Sequence, residues 1–184
     1  LWAFANGYDS DPVCTEGYEA PVKSIGNSTT TPRDMETDLD VWIILMALSE
    51  SVSARLRKHG FKCNVVEVSI RDNELNSITR QMHIGQPTNI TGEIVKAAFE
   101  LFKKHYRWEH SIRSLGVRGS DLVMEDIPVQ LDLFVNQEKR EKLERLDRAV
   151  DEIRRRFGYF SIQRAAMYQD KVLSHLDAGT HTVH

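Results

Sequence analysis

Two kinds of hydrophobic periodicity alternate along the first two thirds of the chain. Apolar residues recur every third or fourth position across residues 37–59 and again across residues 92–108, which predicts two amphipathic helices. Thr37 and Thr91 can cap their amino ends, and Gly60 can stop the first helix. Residues 22–31, which are rich in Ser and Thr, predict a strand, and partly alternating apolar and polar residues predict three more over residues 62–71, 75–84 and 111–118.

These elements follow one another in the order βαββαβ. The two middle strands flank an Asp72-Asn73 turn and so predict a hairpin, and Pro32 should end the first strand. We therefore expect an α+β fold, a four-stranded sheet with both helices on one face and the other face bare. A third helix, residues 137–157, has heptad-like apolar spacing and should pack on its own domain. The tail that follows, through His184, is polar and should be loose.

The bare face of the predicted sheet collects small polar residues. Strand residues alternate between two sides, so one side gathers residues from the first and fourth strands. These residues are Ser24, Gly26, Ser28, Thr30, Ser114, Gly116 and Arg118. Hydroxyl groups, an approachable backbone and an arginine suit phosphates and read almost no bases. The pattern alone leaves two interpretations open, a phosphate-binding face and a sheet face that is merely solvated.

A short segment near residue 130 combines a polar head with an apolar end. It reads Gln130-Leu131-Asp132-Leu133-Phe134. A Leu-Phe pair in a polar stretch is typical of a peptide that fills a pocket on a partner protein. The alternative is that its two leucines and its phenylalanine close the core, as part of an edge strand.

Composition and charge narrow the class of protein. Apolar residues make up 41% of the chain without a run of about 18, so we expect no membrane span. The net charge of −3 argues against nucleic acid, but acidic residues gather in residues 1–20 and 34–40 while the strands carry basic ones. A nearly neutral total can therefore hide a basic face. Cys14 and Cys63 lack the spacing of a zinc site or a disulfide framework, so we expect no metal and a cytoplasmic protein with free thiols.

Several phrases, taken in order, resemble one family. Residues 23–26 read KSIG, residues 77–81 read SITRQ, residues 112–118 read IRSLGVR and residues 130–134 read QLDLF. Together they resemble the little-finger domain of Y-family (ImpB/MucB/SamB, UmuC-like) translesion DNA polymerases. The pentapeptide is similar to the one by which bacterial polymerases hold the sliding clamp. The phrase RRFGYFSIQRA, residues 155–165, is similar to the C-terminus of the UV-damage-repair branch of Gram-positive bacteria.

The resemblance implies a division of the chain and a set of DNA contacts. The segments are the end of a thumb and linker (residues 1–20), the little finger (21–126), the clamp-binding peptide (127–136), and a C-terminal helix and tail (137–184). The resemblance implies contacts to the backbone of duplex or primer-template DNA, whatever its sequence. Carried over by position, the contacting residues are Lys23, Ser24, Gly26, Asn27, Ser28, Thr30, Arg80, Gln81, Arg113, Ser114 and Arg118. Relatives often have a second basic residue beside Arg113, whereas this chain has Ser114. The electrostatic attraction for DNA should be weaker there.

The resemblance also implies an enzyme that extends beyond this segment. Family members add nucleotides with palm carboxylates that hold two metal ions, Mg²⁺ in the parent protein. The chain has no palm phrase of the Ser-x-Asp-Glu type, and it begins at Leu1 without an initiator Met. We therefore expect a cofactor-free fragment of a DNA-directed DNA polymerase of the SOS response. It should not polymerise by itself, and its partners should be DNA and the bacterial sliding clamp.

An RNA-binding module of the same topology is the main alternative. Such modules present stacking aromatic residues on the sheet, whereas the third predicted strand reads SITRQMHI without one. An interaction domain with no polymerase parent is the second alternative, and no ligand motif supports it. Binding to primer-template DNA compared with single-stranded RNA would separate these classes.

Overall fold

The protein is described by a computed structural model that covers residues 2–8, 21–126 and 136–174. The helices and strands in chain order are α1 (Trp2–Ala5), β1 (Ser24–Met35), α2 (Asp38–Lys58), β2 (Phe61–Asp72), β3 (Ser77–Thr88), α3 (Thr91–His105), β4 (Ile112–Met124), α4 (Gln137–Phe157) and α5 (Lys171–Ser174). Two short 3₁₀ helices, Tyr159–Ser161 and Ala165–Gln169, lie between α4 and α5. The predicted βαββαβ order and the α+β class are confirmed.

The four strands form one antiparallel sheet in the order β1-β4-β2-β3. Helices α2 and α3 pack on one face of this sheet, as predicted. The prediction that Pro32 ends the first strand is wrong, because β1 continues to Met35 after a register irregularity that follows Thr30. Proline is tolerated there because β1 is an edge strand and the missing N–H removes no bond from a sheet interior. The extension carries Met35 into the core, where its side chain is fully buried.

Helix α2 begins as the sequence predicted. The side chain of Thr37 accepts a hydrogen bond from the backbone N–H of Asp40 at 3.1 Å. The Asp40 carboxylate in turn accepts from the backbone N–H of Thr37, which completes a capping box. The helix gives way to Gly60, whose φ of +68° lies in the left-handed region that favours glycine.

Helix α3 is capped differently from the prediction. Thr91 is its first helical residue rather than its N-cap, and the N-cap position, Ile90, offers no side-chain acceptor. The backbone N–H of Thr91 instead donates to the carboxylate of Asp147 in α4, at 2.8 Å. A residue 56 positions away in the chain therefore satisfies one of the free N–H groups at this helix end.

The core surrounds α2 on more than one side. The predicted apolar stripe of α2 faces the sheet and is buried, but Ile43 and Ala47, which lie off that stripe, are buried as well. The C-terminal segment, residues 158–174, contributes Met167 and Leu173 to the same core, and both side chains are fully buried. The prediction of a loose tail is therefore wrong as far as Ser174, and the rest of the tail lies outside the described residues.

Helix α4 has the predicted bounds, and it is attached to the domain mainly by charge. Leu146, at the middle of its predicted apolar seam, is 51% exposed, whereas Asp147 is buried. Ion pairs join α4 and the following segment to α2, and we call this group the C-terminal ion network. Its members are Glu50, Arg57, Asp147, Asp151, Arg154 and Arg164.

Candidate nucleic-acid interface

The side of the sheet that faces away from α2 and α3 carries mostly polar residues, aligned in register across the strands. The strand pairings align four rows across the four strands, and we call this surface the open sheet face. In the order β1, β4, β2, β3, the rows are Ser24, Ser120, Val65 and His83; Gly26, Arg118, Glu67 and Gln81; Ser28, Gly116, Ser69 and Thr79; Thr30, Ser114, Arg71 and Ser77. Half of these residues carry hydroxyl groups, and none is Phe, Tyr or Trp.

Glycine is needed where this array is most crowded. A Cβ atom added to Gly116 would lie 2.4 Å from the Oγ of Ser69 and 3.0 Å from the Cβ of Ser28. A Cβ atom on Gly26 would lie 3.1 Å from the side chain of Arg118. Because the two glycines have no side chains, the backbone in the middle of the face is uncovered, and an extended ligand can approach it closely.

The charges on the open sheet face are few and unequal. Arg71 is exposed and forms no ion pair within the described residues. Arg118 lies with an Nη1 atom 3.5 Å from the Oε1 atom of Glu67, and its side chain is 55% exposed against 19% for the glutamate. The face is therefore weakly positive, with one arginine available and one partly neutralised.

A groove of about 730 Å³ crosses this face from β1 to Thr79 on β3. Ser24, Gly26 and Ser28 line it, and it continues around the edge of β1 to Arg55 in α2. An Nη2 atom of Arg55 donates to the carbonyl oxygen of Gly26 at 2.5 Å, and burial lowers the pKa of this arginine. The contact ties the outer edge of β1 to α2 and so holds the groove wall in place.

Seven of the residues predicted to contact DNA lie together on the open sheet face. They are Ser24, Gly26, Ser28, Thr30, Gln81, Ser114 and Arg118. Their shared side follows from the strand alternation that the sequence already showed.

The other predicted residues lie elsewhere. Asn27 is turned to the helix side, where its Nδ2 atom donates to the hydroxyl of Ser51 at 3.1 Å. Arg80 is exposed but pairs across the strands with the core residue Val68, which also puts it on the helix side.

Arg113 is engaged by the protein itself, and Lys23 lies outside the sheet. An Nη1 atom of Arg113 donates to the carbonyl oxygen of Thr31 at 3.1 Å and lies 3.4 Å from the carboxylate of Asp34. Lys23 precedes β1 and is exposed.

Sequence reasoning missed the contribution of β2 to this face. Glu67, Ser69 and Arg71 stand in the middle of the array, although only the first and fourth strands were considered for it. The signal was available, because these residues alternate with the buried Val66 and Val68. What no local pattern indicates is that Glu67 stands opposite Arg118.

The predicted clamp-binding peptide, Gln130, Leu131, Asp132, Leu133 and Phe134, lies outside the described residues. The elements on either side of it are fixed to the domain. The backbone N–H of Glu125 donates to the carbonyl oxygen of Gly60 at 2.8 Å, and Asn136 caps α4 by accepting from the N–H of Lys139 at 2.9 Å.

The described ranges contain no group of three or more metal-ligating side chains, and none of their helices is both long and apolar enough to cross a bilayer. Burial raises the pKa of the Cys63 thiol to about 12, so this sulfur stays protonated and unreactive.

Comparison with known proteins identifies the family. Residues 22–133 match the impB/mucB/samB family C-terminal domain, and the chain belongs to this family. It is 48% identical over 176 residues to a DNA polymerase IV of Acetivibrio thermocellus, and 37% identical over 171 residues to DNA polymerase IV 2 of Bacillus subtilis. These matches cover 96% and 90% of the chain but only 44% and 40% of the relatives. The family resemblance of the sequence phrases is confirmed, and the chain spans less than half the length of these relatives.

Two solved structures are similar to the chain at lower identity. One is a Y-family DNA polymerase chimera, with a TM-score of 0.48 and 16% identity, which matches 67% of this chain and 34% of its own. The other is a complex of the β-clamp processivity factor and the little-finger domain of PolIV, with a TM-score of 0.47 and 17% identity; the match covers 61% of this chain and 99% of that one.

Proposed function

We propose that this chain is the little-finger part of a Y-family translesion DNA polymerase, and that it holds the backbone of duplex or primer-template DNA in the cytoplasm. The observation that carries the proposal is the open sheet face, a registered array of hydroxyl groups, two glycines and two arginines. Membership in the impB/mucB/samB family supports the same conclusion.

The array suits phosphates better than bases. Hydroxyl groups donate hydrogen bonds to phosphate oxygens, the low surface at Gly26 and Gly116 lets a strand come close, and Arg71 and Arg118 supply charge. Only four of the sixteen residues, Arg71, Arg118, Gln81 and Glu67, are of the types that read base edges, against eight that carry hydroxyl groups. Binding should therefore be independent of DNA sequence and should weaken steeply as salt rises.

The RNA-binding alternative loses its main support on this face. Modules that bind single-stranded RNA stack bases on aromatic residues of the sheet, and the four rows contain no Phe, Tyr or Trp, with His83 at one corner as their only aromatic ring. A backbone-binding role for duplex DNA needs no such platform.

The nucleotide-adding chemistry belongs, in this proposal, to the remainder of a longer protein. The relatives named DNA polymerase IV are more than twice as long as the matched segment. Palm carboxylates with Mg²⁺ would carry the reaction there, and this chain would contribute grip and tethering. The isolated chain should incorporate no nucleotide on a primed template.

Tethering to the bacterial sliding clamp is the second part of the proposal. It rests on the phrase QLDLF, in which Leu133 and Phe134 would fill an apolar pocket and Gln130 would fix the register by hydrogen bonding. Burying the two anchors offers roughly 3–6 kcal/mol before the cost of ordering the peptide. The double substitution Leu133→Ala, Phe134→Ala should abolish clamp binding in a pull-down and leave the unfolding midpoint unchanged. A double variant that unfolds, from a wild type that binds no clamp, would instead assign the peptide to the core.

Arg118→Ala tests the DNA part directly. Fluorescence anisotropy with unrelated duplexes should show the same loss of affinity for all of them, and a salt slope that is shallower by about one phosphate contact. Arg145→Ala is the matched control, because it removes an exposed charge from α4, on the helix side of the domain. Discrimination among duplexes, or an equal effect of both substitutions, would contradict the proposal.

A further inference from the structure

A single carboxylate stands within the open sheet face. Glu67 lies in the second row, between Arg118 on β4 and Gln81 on β3. Its Oε1 atom is 3.5 Å from the Nη1 atom of Arg118, and its side chain is only 19% exposed. The carboxylate is thus held among its neighbours in the middle of the surface, while the arginine reaches farther into solvent.

A carboxylate at this place opposes the proposed ligand in two ways. It attracts the guanidinium of Arg118, so a phosphate oxygen must compete with Glu67 for the same donor groups. It also repels the phosphate itself, and once a phosphate engages Arg118, the small residues nearby, Gly26, Gly116 and Ser69, carry no charge that would offset that repulsion.

The two arginines of the face differ for this reason. Arg71 stands two rows from Arg118, is exposed and forms no ion pair within the described residues. Arg118 is shared with Glu67. One end of the array therefore offers full positive charge, and its middle offers a charge that is already partly compensated.

We propose that Glu67 is a counter-charge that limits how tightly the open sheet face holds a phosphodiester backbone, and that it acts through Arg118. The inference rests on the proposed DNA-binding function and adds a residue that sets the strength of that grip. In the bound state a phosphate takes the guanidinium from Glu67, and on release the glutamate takes it back. The result is a weak contact that exchanges quickly.

Glu67→Gln tests this inference, because it removes the charge and keeps the shape of the side chain. The full chain carrying it should bind a short duplex about two- to fivefold more tightly than wild type in fluorescence anisotropy at low salt, the range for one exposed ion pair. Its salt dependence should also be steeper. Glu100→Gln, on the exposed side of α3, gives the same change in net charge and should leave the affinity unchanged.

The Arg118→Ala background decides whether Glu67 acts through the arginine. In that background Glu67→Gln should no longer tighten binding. Equal tightening with and without Arg118, or no tightening by Glu67→Gln in a protein whose DNA binding Arg118→Ala weakens, would overturn the inference while the proposed function stands. Failure of the wild type to bind any duplex would overturn the proposed function and this inference with it.

Discussion

The open sheet face and the C-terminal ion network use arginine in opposite ways. In the network, the guanidinium groups of Arg57, Arg154 and Arg164 lie 2.6–3.4 Å from carboxylates. On the face, Arg71 forms no ion pair within the described residues, and Arg118 shares Glu67 at 3.5 Å with more than half of its side chain exposed. An arginine is available to a ligand where the fold leaves its guanidinium exposed and its charge unpaired or only weakly paired.

Burial explains why the arginines of the network must be paired with carboxylates of the protein. The side chains of Glu50, Arg57 and Asp147 are at most 5% exposed, so each charge needs partners to offset the loss of water. Arg57 has two carboxylates and the carbonyl oxygen of Asn89, to which it donates at 2.5 Å. The network joins α4 and the segment after it to α2, and each of its three arginines is engaged by at least one carboxylate.

Removing an arginine from the network should give the largest effect on stability. Arg57→Ala removes one partner of the buried carboxylate of Asp147, both hydrogen bonds to Asp151 and the donor to the carbonyl of Asn89, which should cost about 3–5 kcal/mol in urea unfolding. Arg155→Ala is the control. It also removes an arginine from an ion pair, but its pair with Glu152 is exposed, so the unfolding curve should stay unchanged. Similar losses of unfolding free energy in the two variants would contradict the claim that buried ion pairs matter more than exposed ones.

Truncating a side chain of the C-terminal segment should give the next largest effect. Leu173 is fully buried against the core, so Leu173→Ala should lower the free energy of unfolding by about 2–4 kcal/mol through lost burial and a cavity. Its neighbour Val172 is 56% exposed, and Val172→Ala should change little. If both variants unfold together with the wild type, the segment is not part of the core.

Acid should weaken the start of α2. Burial acts to raise the pKa of Asp40, but hydrogen bonds from Arg33, Glu36 and Thr37 outweigh it, and the net pKa lies below its ordinary value of 3.8. A lowered pKa means stability that is present above pH 3.8 and lost as the pH falls through the folded value. Asp40→Asn should therefore cost about 1 kcal/mol at neutral pH.

The urea midpoints of the wild type and Asp40→Asn, compared across pH, check that sign. The difference between the two proteins should be largest at neutral pH and should vanish once Asp40 is protonated in the folded wild type. A difference that grows as the pH falls would contradict the assignment.

A substitution on the open sheet face should have the smallest effect on stability and should change DNA binding instead. Arg71→Ala should leave the unfolding midpoint unchanged, because its charge has no partner to lose within the described residues. It should weaken duplex binding at low salt, and the loss should shrink as salt rises. Thermal unfolding and anisotropy on the same samples check both parts, and a large drop in the midpoint would make Arg71 a structural residue like those of the network.

The sequence determined what depends on neighbours a few residues apart. Strand alternation assigned Ser24, Gly26 and Arg118 to one side of the sheet, and local cap chemistry predicted the start of α2 at Thr37. These features follow from backbone geometry that repeats every two or 3.6 residues, so a short window of sequence contains them.

Only the tertiary structure decided which charges are satisfied and which remain open. Asp147 caps α3 and holds Arg164, and Glu67 meets Arg118, because strand register and packing bring together residues that are far apart in the chain. The segment that covers α2 is made of 3₁₀ turns and one short helix, which have no hydrophobic period to read. Two distant residues pair only if the free energy gained by burying them outweighs the entropy lost in closing the loop between them. That balance is set by the whole fold rather than by any local pattern.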